Sequence, residues 1–296
     1  MNVKKIGTYL ALAFGLSWGL VFTFFALGGE LNSVGFVAMA VVDMFTPAAA
    51  AITQRFIWKA PLKDLGIQWP RWRWMLVAWF APLVIVIAAL ALSLLVPGVS
   101  LAMGLDGLYG QLSDKLSPQQ LAELHAKLDH SVLATPGMLP AIGLVQVLVA
   151  GATINAVAAF GEELGWRGFL FNELRALGFW RSSFVIGILW GVWHAPLIAH
   201  GYNYPGHPIA GPAMMTLLTT LIAPLIGYAR LRANSVFAAA VFHGTLNAAA
   251  GLVILLRGAN AMTTGILGFT GMIVLACANV ALWIYSRRPE SIAQLN

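Results

Sequence analysis

Residues 74–96 read WMLVAWFAPLVIVIAALALSLLV, an uninterrupted stretch without a charged side chain. A helix needs about 20 mostly apolar residues to cross the hydrocarbon core of a bilayer, so this stretch is long enough to span one. The rest of the chain is similar, because 59% of its 296 residues are hydrophobic and only 9% are charged. Soluble domains are about 45–50% apolar and about 25% charged. The sequence therefore predicts a polytopic membrane protein.

Further apolar stretches of similar length predict an all-α membrane helix bundle with about eight transmembrane helices. The predicted spans are 6–28, 34–57, 74–96, 138–161, 182–200, 212–229, 235–256 and 263–286. The single cysteine, Cys277, lies in the last of them. A disulfide framework and a thiolate zinc site are therefore both excluded.

The distribution of Lys and Arg predicts the orientation of the spans, because short cytoplasmic loops carry an excess of basic residues. Alternate connections hold Lys4, Lys5, Arg55, Lys59, Lys63, Arg71, Arg73, Arg167, Arg175, Arg181, Arg230, Arg232, Arg287 and Arg288. The intervening connections hold only Lys115, Lys127 and Arg257. We therefore expect both termini to be cytoplasmic. The net charge of +6 indicates topology, and no nucleic-acid partner is expected.

One long connection, about residues 98–137, is net acidic and is predicted to lie on the outer face. Its segment SPQQLAELHAKL, residues 117–128, begins with a serine suited to cap a helix and a proline suited to the first helical position. The leucines of this segment recur at helical spacing. The pattern predicts a short amphipathic helix on the outer surface.

The stretch AFGEELGWRGFLF, residues 159–171, concentrates charge in a chain that otherwise avoids it. Charged groups inside a bilayer are costly and mark function by default. Glu163 and Arg167 are four residues apart, which favours an ion pair along one helix face. Glu162 points about 100° away from Glu163 and has no such partner on its own helix. The simplest interpretation makes Glu163 and Arg167 a structural pair and leaves Glu162 free to exchange a proton, although ordinary interfacial acids also fit.

Other polar groups within predicted spans complete the list of candidates. His243 and Asn247 are four residues apart on the seventh span, and His194 lies in the fifth span just before a proline. At about 1.5 Å per residue, His243 lies about 12 Å and His194 about 18 Å from the cytoplasmic starts of their helices. That depth permits one site shared with Glu162. Asp43, inside an early span, is interpreted as a structural hydrogen-bonding or ion-pairing group.

These residues resemble the motifs of the CAAX protease and bacteriocin-processing family, called CPBP or Abi. EELGWR, from Glu162 to Arg167, is similar to the family's EExxxR motif. Trp190 and His194 match its second motif, an aromatic residue followed four positions later by His, although family members usually have Phe at the aromatic position. His243 and Asn247 match its third motif, HxxxN. The resemblance covers about residues 139–256, and we expect the departure at Trp190 to affect packing more than chemistry.

The resemblance implies an eight-helix intramembrane endopeptidase. In such an enzyme Glu162 would activate the attacking water with help from His194, and His243 and Asn247 would bind the developing oxyanion of the scissile amide. Preorganised donors of this kind are typically worth about 10²–10³ in rate each. Glu163, Arg167 and Trp190 would support these groups.

The resemblance leaves the cofactor open. Family members are commonly labelled metalloproteases, and Glu162, His194 and His243 would then be ligands of a divalent metal such as zinc. The chain has no HExxH motif, and the family also supports a metal-independent glutamate mechanism, which we favour slightly. The expected partners are the lipid bilayer and a peptide or protein substrate, either C-terminally lipidated or a peptide precursor. The expected location is a bacterial cytoplasmic membrane.

The same resemblance divides the chain into parts of one membrane domain. Residues 1–137 hold the N-terminal spans and the outer connection, 138–256 the CPBP-type catalytic core, and 257–296 the last span and tail. Two alternatives remain open. One is a catalytically idle membrane scaffold or immunity factor that uses the same polar cavity. The other is a proton-coupled transporter using Glu162 and Asp43, which the absence of an internal repeat disfavours.

Overall fold

A computed structural model describes residues 1–102, 104–113 and 116–287, and it confirms an all-α membrane bundle. The α-helices are α1 (Val3–Ala26), α2 (Val34–Met44), α3 (Thr46–Ile57), α4 (Trp72–Ser93), α5 (Asp106–Leu112), α6 (Pro118–Leu128), α7 (Met138–Ala152), α8 (Ile154–Glu163), α9 (Phe171–Leu174), α10 (Phe179–Trp193), α11 (Ala195–Ala199), α12 (Ala210–Ala233), α13 (Val236–Ala250) and α14 (Phe269–Ser286). A π-helix, Leu164–Leu170, joins α8 to α9. Short 3₁₀ turns cover Leu62–Leu65, Val132–Ala134, Arg175–Leu177 and Gly251–Leu255.

Among the described residues, fewer helices are long and apolar enough to cross a membrane than the eight predicted. Six helices of the described residues are long and apolar enough to cross a membrane, or up to seven if Met138–Ala152 and Ile154–Leu177, which meet at a bend of 44°, form one span. If the bent pair is counted, only the predicted span 182–200 is missing, because α10 ends at Trp193 after 15 residues. Pro196, which cannot donate a helical hydrogen bond, follows in the short helix α11. The predicted count is therefore not confirmed.

Five of the predicted cytoplasmic basic residues gather at one end of the bundle, where they line a common cavity: Lys5, Arg55, Lys63, Arg175 and Arg230. At the same end, the connection after α3 is hydrogen-bonded to the end of α12, because the Arg71 amide donates to the Ala233 carbonyl. We call it the basic end. Which side of the bilayer it faces stays a prediction, and Lys115, Arg288 and the tail to residue 296 lie outside the described residues.

The long connection at the opposite end contains the predicted short helix. Ser117 caps α6 through a capping box with Gln120, and Pro118 is its first residue. Leu121, Leu124 and Leu128 form its half-buried stripe, which confirms the helix that the spacing predicted. A two-residue antiparallel pairing of Ser100–Leu101 (β1) with Leu256–Arg257 (β2) ties the connection to the segment after α13.

The core depends on helices that approach each other through glycines. Gly244 of α13 lies against the bend between α7 and α8, where an added Cβ would sit 2.5 Å from the Ala156 nitrogen and 2.6 Å from the Gly151 carbonyl oxygen. Small residues allow such close backbone approach in membrane bundles. The missing side chain at Gly244 therefore allows α13, which contains His243 and Asn247, to pack closely against the bent pair.

We expect Gly244→Ala to destabilise the protein by about 1–3 kcal/mol, because the methyl group has no space and α13 must shift. Thermal unfolding in detergent measures the effect. The matched control is Gly19→Ala in α1, where nothing lies within 4 Å of an added Cβ. That change should be neutral or slightly stabilising, by up to about 1 kcal/mol. Equal melting temperatures for the two variants would contradict the packing argument.

Candidate active site

The two adjacent carboxylates lie in the last turn of α8, and both are buried: Glu162 is 2% exposed and Glu163 is not exposed at all. Immediately after them the backbone changes to the π-helix. Such π-helical turns are rare and frequently occur at functional sites. The spacing of residues along the sequence did not predict this π-helix. Gly161 precedes the π-helix and Gly168 lies within it, and both lie close to neighbouring backbone. An added Cβ at these positions would come within 2.6 Å of the Met44 carbonyl oxygen and 2.8 Å of the Leu65 carbonyl oxygen.

Glu163 links two helices as well as pairing along its own. Arg167 Nη1 donates to Glu163 Oε1 at 2.9 Å, which confirms the predicted ion pair. The same oxygen lies 3.0 Å from His243 Nδ1 of α13. Glu163 is thus more than the structural partner that the sequence suggested, since it also orients one of the candidate imidazoles.

Trp190 lies at the centre of the cluster. Its indole Nε1 donates to Glu162 Oε2 at 2.6 Å. The Arg167 guanidinium lies over the indole ring, 4.6 Å from the ring centroid. The His243 and His194 rings lie 5.0 and 5.8 Å from the Trp190 ring. A phenylalanine could reproduce the ring contacts but not the hydrogen bond. The sequence predicted that Trp190 affects packing more than chemistry, and that prediction did not include its hydrogen bond to the Glu162 carboxylate.

Both candidate histidines are held through the same ring nitrogen. His194 Nδ1 lies 2.9 Å from the Trp190 carbonyl oxygen, and His243 Nδ1 lies 3.0 Å from Glu163. A carbonyl oxygen and an ionised carboxylate only accept hydrogen bonds, so each Nδ1 must carry the proton. Nε2 of each ring is then left for other chemistry, as a bare acceptor in the neutral ring and as a donor in the protonated one.

Glu162, His194, His243 and Asn247 all line one cavity of about 370 Å³ inside the bundle. Its wall also includes polar Asp43, Asn155 and Thr219, together with Ala40, Met44, Ala158, Trp190, Trp193, Leu197, Tyr202, Asn203, Met215, Leu218, Ile222, Leu246, Ala250, Ile266 and Leu267. His194 is half-buried and Asn247 is exposed. Ligand pockets typically combine mostly apolar walls with a few placed polar groups.

The candidate metal ligands do not fit a metal ion in this arrangement. Among the described residues, no three His, Cys, Asp or Glu side chains are grouped closely enough to hold one. Glu162, His194 and His243 share the cavity, but the Trp190 indole already occupies one oxygen of Glu162. We therefore derive no chemical step through a metal.

Fold and cavity together define a multi-pass integral membrane protein with a buried polar cluster of acid, imidazole and amide groups. Residues 144–249 match the family model described as type II CAAX prenyl endopeptidase Rce1-like. The chain is also 43% identical over 49 residues to CAAX prenyl protease 2 of Methanococcus maripaludis, a match that covers 16% of this chain and 18% of that protein. Both matches support the resemblance of these central helices to the CAAX protease (CPBP) family, although the aligned part spans less than a fifth of the Methanococcus maripaludis protein.

Proposed function

We propose that the chain is an intramembrane endopeptidase that hydrolyses a peptide bond inside the bundle. The observation that carries this proposal is the convergence of Glu162, His194, His243 and Asn247, from three separate helical segments, on one cavity. Helix α13 places His243 eight residues beyond Ser235, or about 12 Å from the basic end. The reaction would therefore take place closer to that end, which we predict to be cytoplasmic.

The charges of the cluster support a division of roles. With both carboxyls ionised, Glu162, Glu163 and Arg167 carry one net negative charge, and one further proton makes the cluster neutral. Neutral clusters cost least in a buried, poorly solvated setting. A proton on His243 leaves Glu162 as a carboxylate, and the Glu163 contact at 3.0 Å stabilises the imidazolium. Glu162 can then accept a proton while His243 Nε2 donates a hydrogen bond.

In the proposed reaction, Glu162 takes a proton from a water molecule as the water oxygen bonds to the acyl carbon of the substrate. His194 Nε2 accepts a hydrogen bond from the same water and orients it. The carbonyl oxygen becomes an oxyanion, which accepts hydrogen bonds from His243 Nε2 and the Asn247 amide. Glu162 then passes its proton to the leaving nitrogen as the carbon–nitrogen bond breaks, so that one water is consumed and an acid and an amine are formed.

The walls of the cavity suit a peptide whose flanking side chains are apolar. Leu218, Ile222 and Leu246 lie on the same cavity as the polar groups. We propose a membrane-associated peptide or protein substrate, with C-terminally lipidated proteins and peptide precursors as the two candidate classes. The name of the Methanococcus maripaludis relative favours the first class.

Comparative sequencing of membrane-protein termini tests the proposal. Cells expressing the wild-type chain should show new protein termini that are absent when Glu162 is replaced by Gln. Cleavage that persists in the Glu162→Gln cells would remove the peptidase proposal. An unchanged biological effect without any cleavage would leave the idle scaffold instead.

We expect Trp190→Phe to lower kcat about tenfold with little change in KM. The substitution keeps an aromatic ring beside Arg167 but removes the hydrogen bond to the Glu162 carboxylate, and a hydrogen bond to a charged group is worth about 1.5–3 kcal/mol. Trp190 acts here as a positioning residue, because it would orient Glu162 without touching the substrate. Steady-state kinetics on an identified substrate separate the two constants.

Trp193→Phe is the matched control for this prediction. Trp193 packs edge-on against the His194 ring at 4.7 Å, but its Nε1 is buried without a hydrogen-bond partner among the described residues. Its replacement should therefore leave kcat within about threefold, since no hydrogen bond is lost. A larger loss in Trp193→Phe than in Trp190→Phe would show that ring packing, and not the indole hydrogen bond, controls the rate.

A further inference from the structure

A second cavity, of about 520 Å³, lies at the basic end and is separate from the candidate active site. It is bounded by the start of α1, the connection that follows α3, the segment after the π-helix and the last turn of α12. Its lining residues are Met1, Lys5, Arg55, Ala60, Lys63, Asp64, Gly66, Gln68, Asn172, Glu173, Arg175, Ala176 and Arg230.

This cavity has an excess of positive charge. Its five basic side chains face only two acidic ones, Asp64 and Glu173. Those acids form loose pairs, Arg55 with Asp64 at 3.7 Å and Lys5 with Glu173 at 3.9 Å. Within the described part of the chain, the remaining three bases have no carboxylate partner within 4.0 Å: Lys63, Arg175 and Arg230. The cavity therefore carries about three uncompensated positive charges.

Two arginines of the cavity have a buried N–H group without a hydrogen-bond acceptor among the described residues. Arg55 is only 7% exposed, and its Nε has no hydrogen-bond partner in the described structure. The Nε of Arg230 is likewise buried and unpartnered, while its Nη2 contacts Asn172 Oδ1 at 3.4 Å. A buried donor left without an acceptor costs about 1–3 kcal/mol, and more when it is charged. An anion in the cavity would supply acceptors.

The wall that presents these donors is preorganised. Gln68 Nε2 donates to the Asn234 carbonyl at 2.6 Å, and Asn172 Nδ2 donates to the Asp64 carbonyl at 2.6 Å. Gly66, at φ +76°, leaves room for Arg230, whose Nη2 would lie 3.0 Å from an added Cβ. A site that is already ordered loses less entropy on binding.

Aromatic residues indicate the depth of this cavity in the membrane. Lys5 Nζ lies 5.4 Å from the Trp58 ring centroid, and the Trp69 and Trp72 side chains of the same end are 95% and 67% exposed. Tryptophan concentrates at the level of lipid headgroups. The cavity therefore lies where phosphate groups of lipids are abundant.

We propose that this cavity binds a phosphate group, carried by an anionic lipid headgroup or free in solution. A phosphate offers several acceptor oxygens and up to two negative charges, which suits converging guanidinium and ammonium donors better than a single carboxylate does. The site is independent of the proposed peptidase activity. Bound there, a phosphate would join the start of α1 to the ends of α3 and α12.

The test uses the full chain with Lys63→Gln and Arg175→Gln combined, because both side chains are exposed and have no ion-pair partner to lose. The matched control combines Lys59→Gln with Arg73→Gln, two exposed positions outside the cavity with the same loss of charge. Thermal unfolding is measured in neutral detergent with sodium phosphate against sodium chloride of equal ionic strength. It is then repeated in phosphatidylcholine nanodiscs with and without phosphatidylglycerol.

We expect wild type and control to be stabilised by the phosphate probe, and the cavity variant to bind it about fivefold more weakly for each charge removed. Stabilisation by both inorganic phosphate and phosphatidylglycerol assigns the site to phosphate from either source. Stabilisation by phosphatidylglycerol alone assigns it to a lipid headgroup, and by inorganic phosphate alone to a free anion. Absence of any stabilisation, or equal weakening in the control, would overturn the proposal.

Discussion

The Glu162→Gln variant is expected to lose about 10³-fold or more in kcat, within the range that general acid–base catalysis contributes. The amide cannot take a proton from water at neutral pH, so the step that forms the nucleophile is lost. Yet the amide oxygen can still accept the Trp190 hydrogen bond that Glu162 Oε2 accepts at 2.6 Å. The variant should therefore insert and fold as the wild type does, with the loss confined to turnover.

A second substitution, Glu162→Asp, tests whether the position of the carboxylate matters as well as its presence. Aspartate keeps the carboxylate but withdraws it by one methylene, about 1.5 Å, away from the Trp190 indole and the cavity. We expect partial activity, between wild type and Glu162→Gln, because the base is present but misplaced. Kinetics of the three proteins in proteoliposomes, with unfolding temperature as the folding check, give the comparison. Full activity in Glu162→Gln would refute the assignment of the base.

The apolar stretches and the helix starts could be predicted from local sequence because each depends on neighbours within one helix. The spans over α1, α4 and α12 follow from runs of apolar residues, and the start of α6 follows from Ser117. The Glu163–Arg167 pair likewise needs only helical spacing. The span 182–200 could not be judged in the same way, because its apolar composition hides the early end of α10 at Trp193.

Contacts between helices were less predictable. The sequence paired Glu163 with Arg167 but could not show that the same carboxylate contacts His243, 80 residues away. It also treated Trp190 as a packing residue, whereas the indole hydrogen bond depends on how α10 is rotated against α8. The position of α10 also depends on its packing against α12, where an added Cβ at Gly187 would lie 2.7 Å from the Thr219 carbonyl oxygen, and such a contact cannot be calculated from spacing on one helix. The catalytic roles of the four residues on the cavity stay predictions.

Arg167→Met is expected to destabilise the protein by about 3–5 kcal/mol, the largest stability effect that the site predicts. Arg167 is 1% exposed and Glu163 is fully buried, so the substitution leaves a buried carboxylate without its cation. Removing one partner of a buried ion pair typically has this cost. His243 Nδ1 lies 3.0 Å from the same Glu163 oxygen and can replace part of the lost interaction. The replacement is incomplete, because the His243 ring also lines the cavity. Unfolding in a denaturing detergent titration measures the change.

A double-mutant cycle separates the ion pair from the shape of the two side chains. Adding Glu163→Gln to Arg167→Met removes both charges, so the double variant should recover about 1–3 kcal/mol of the loss caused by Arg167→Met. The exposed pair of Arg257 with Asp106 provides the control, because Asp106→Asn should cost no more than about 1 kcal/mol. A double variant less stable than the sum of its singles would contradict a compensating charge pair.

The same cycle also distinguishes structural support from catalysis. Glu163→Gln alone still offers an oxygen to His243 Nδ1 but no longer stabilises an imidazolium, so kcat should fall about tenfold or more even where the protein remains folded. The double variant should regain stability without regaining kcat, since the negative charge beside His243 is still missing. Recovery of stability and kcat together would mean that Glu163 serves only to hold α8, and His243 would then need another source for the proton that the proposed oxyanion site requires.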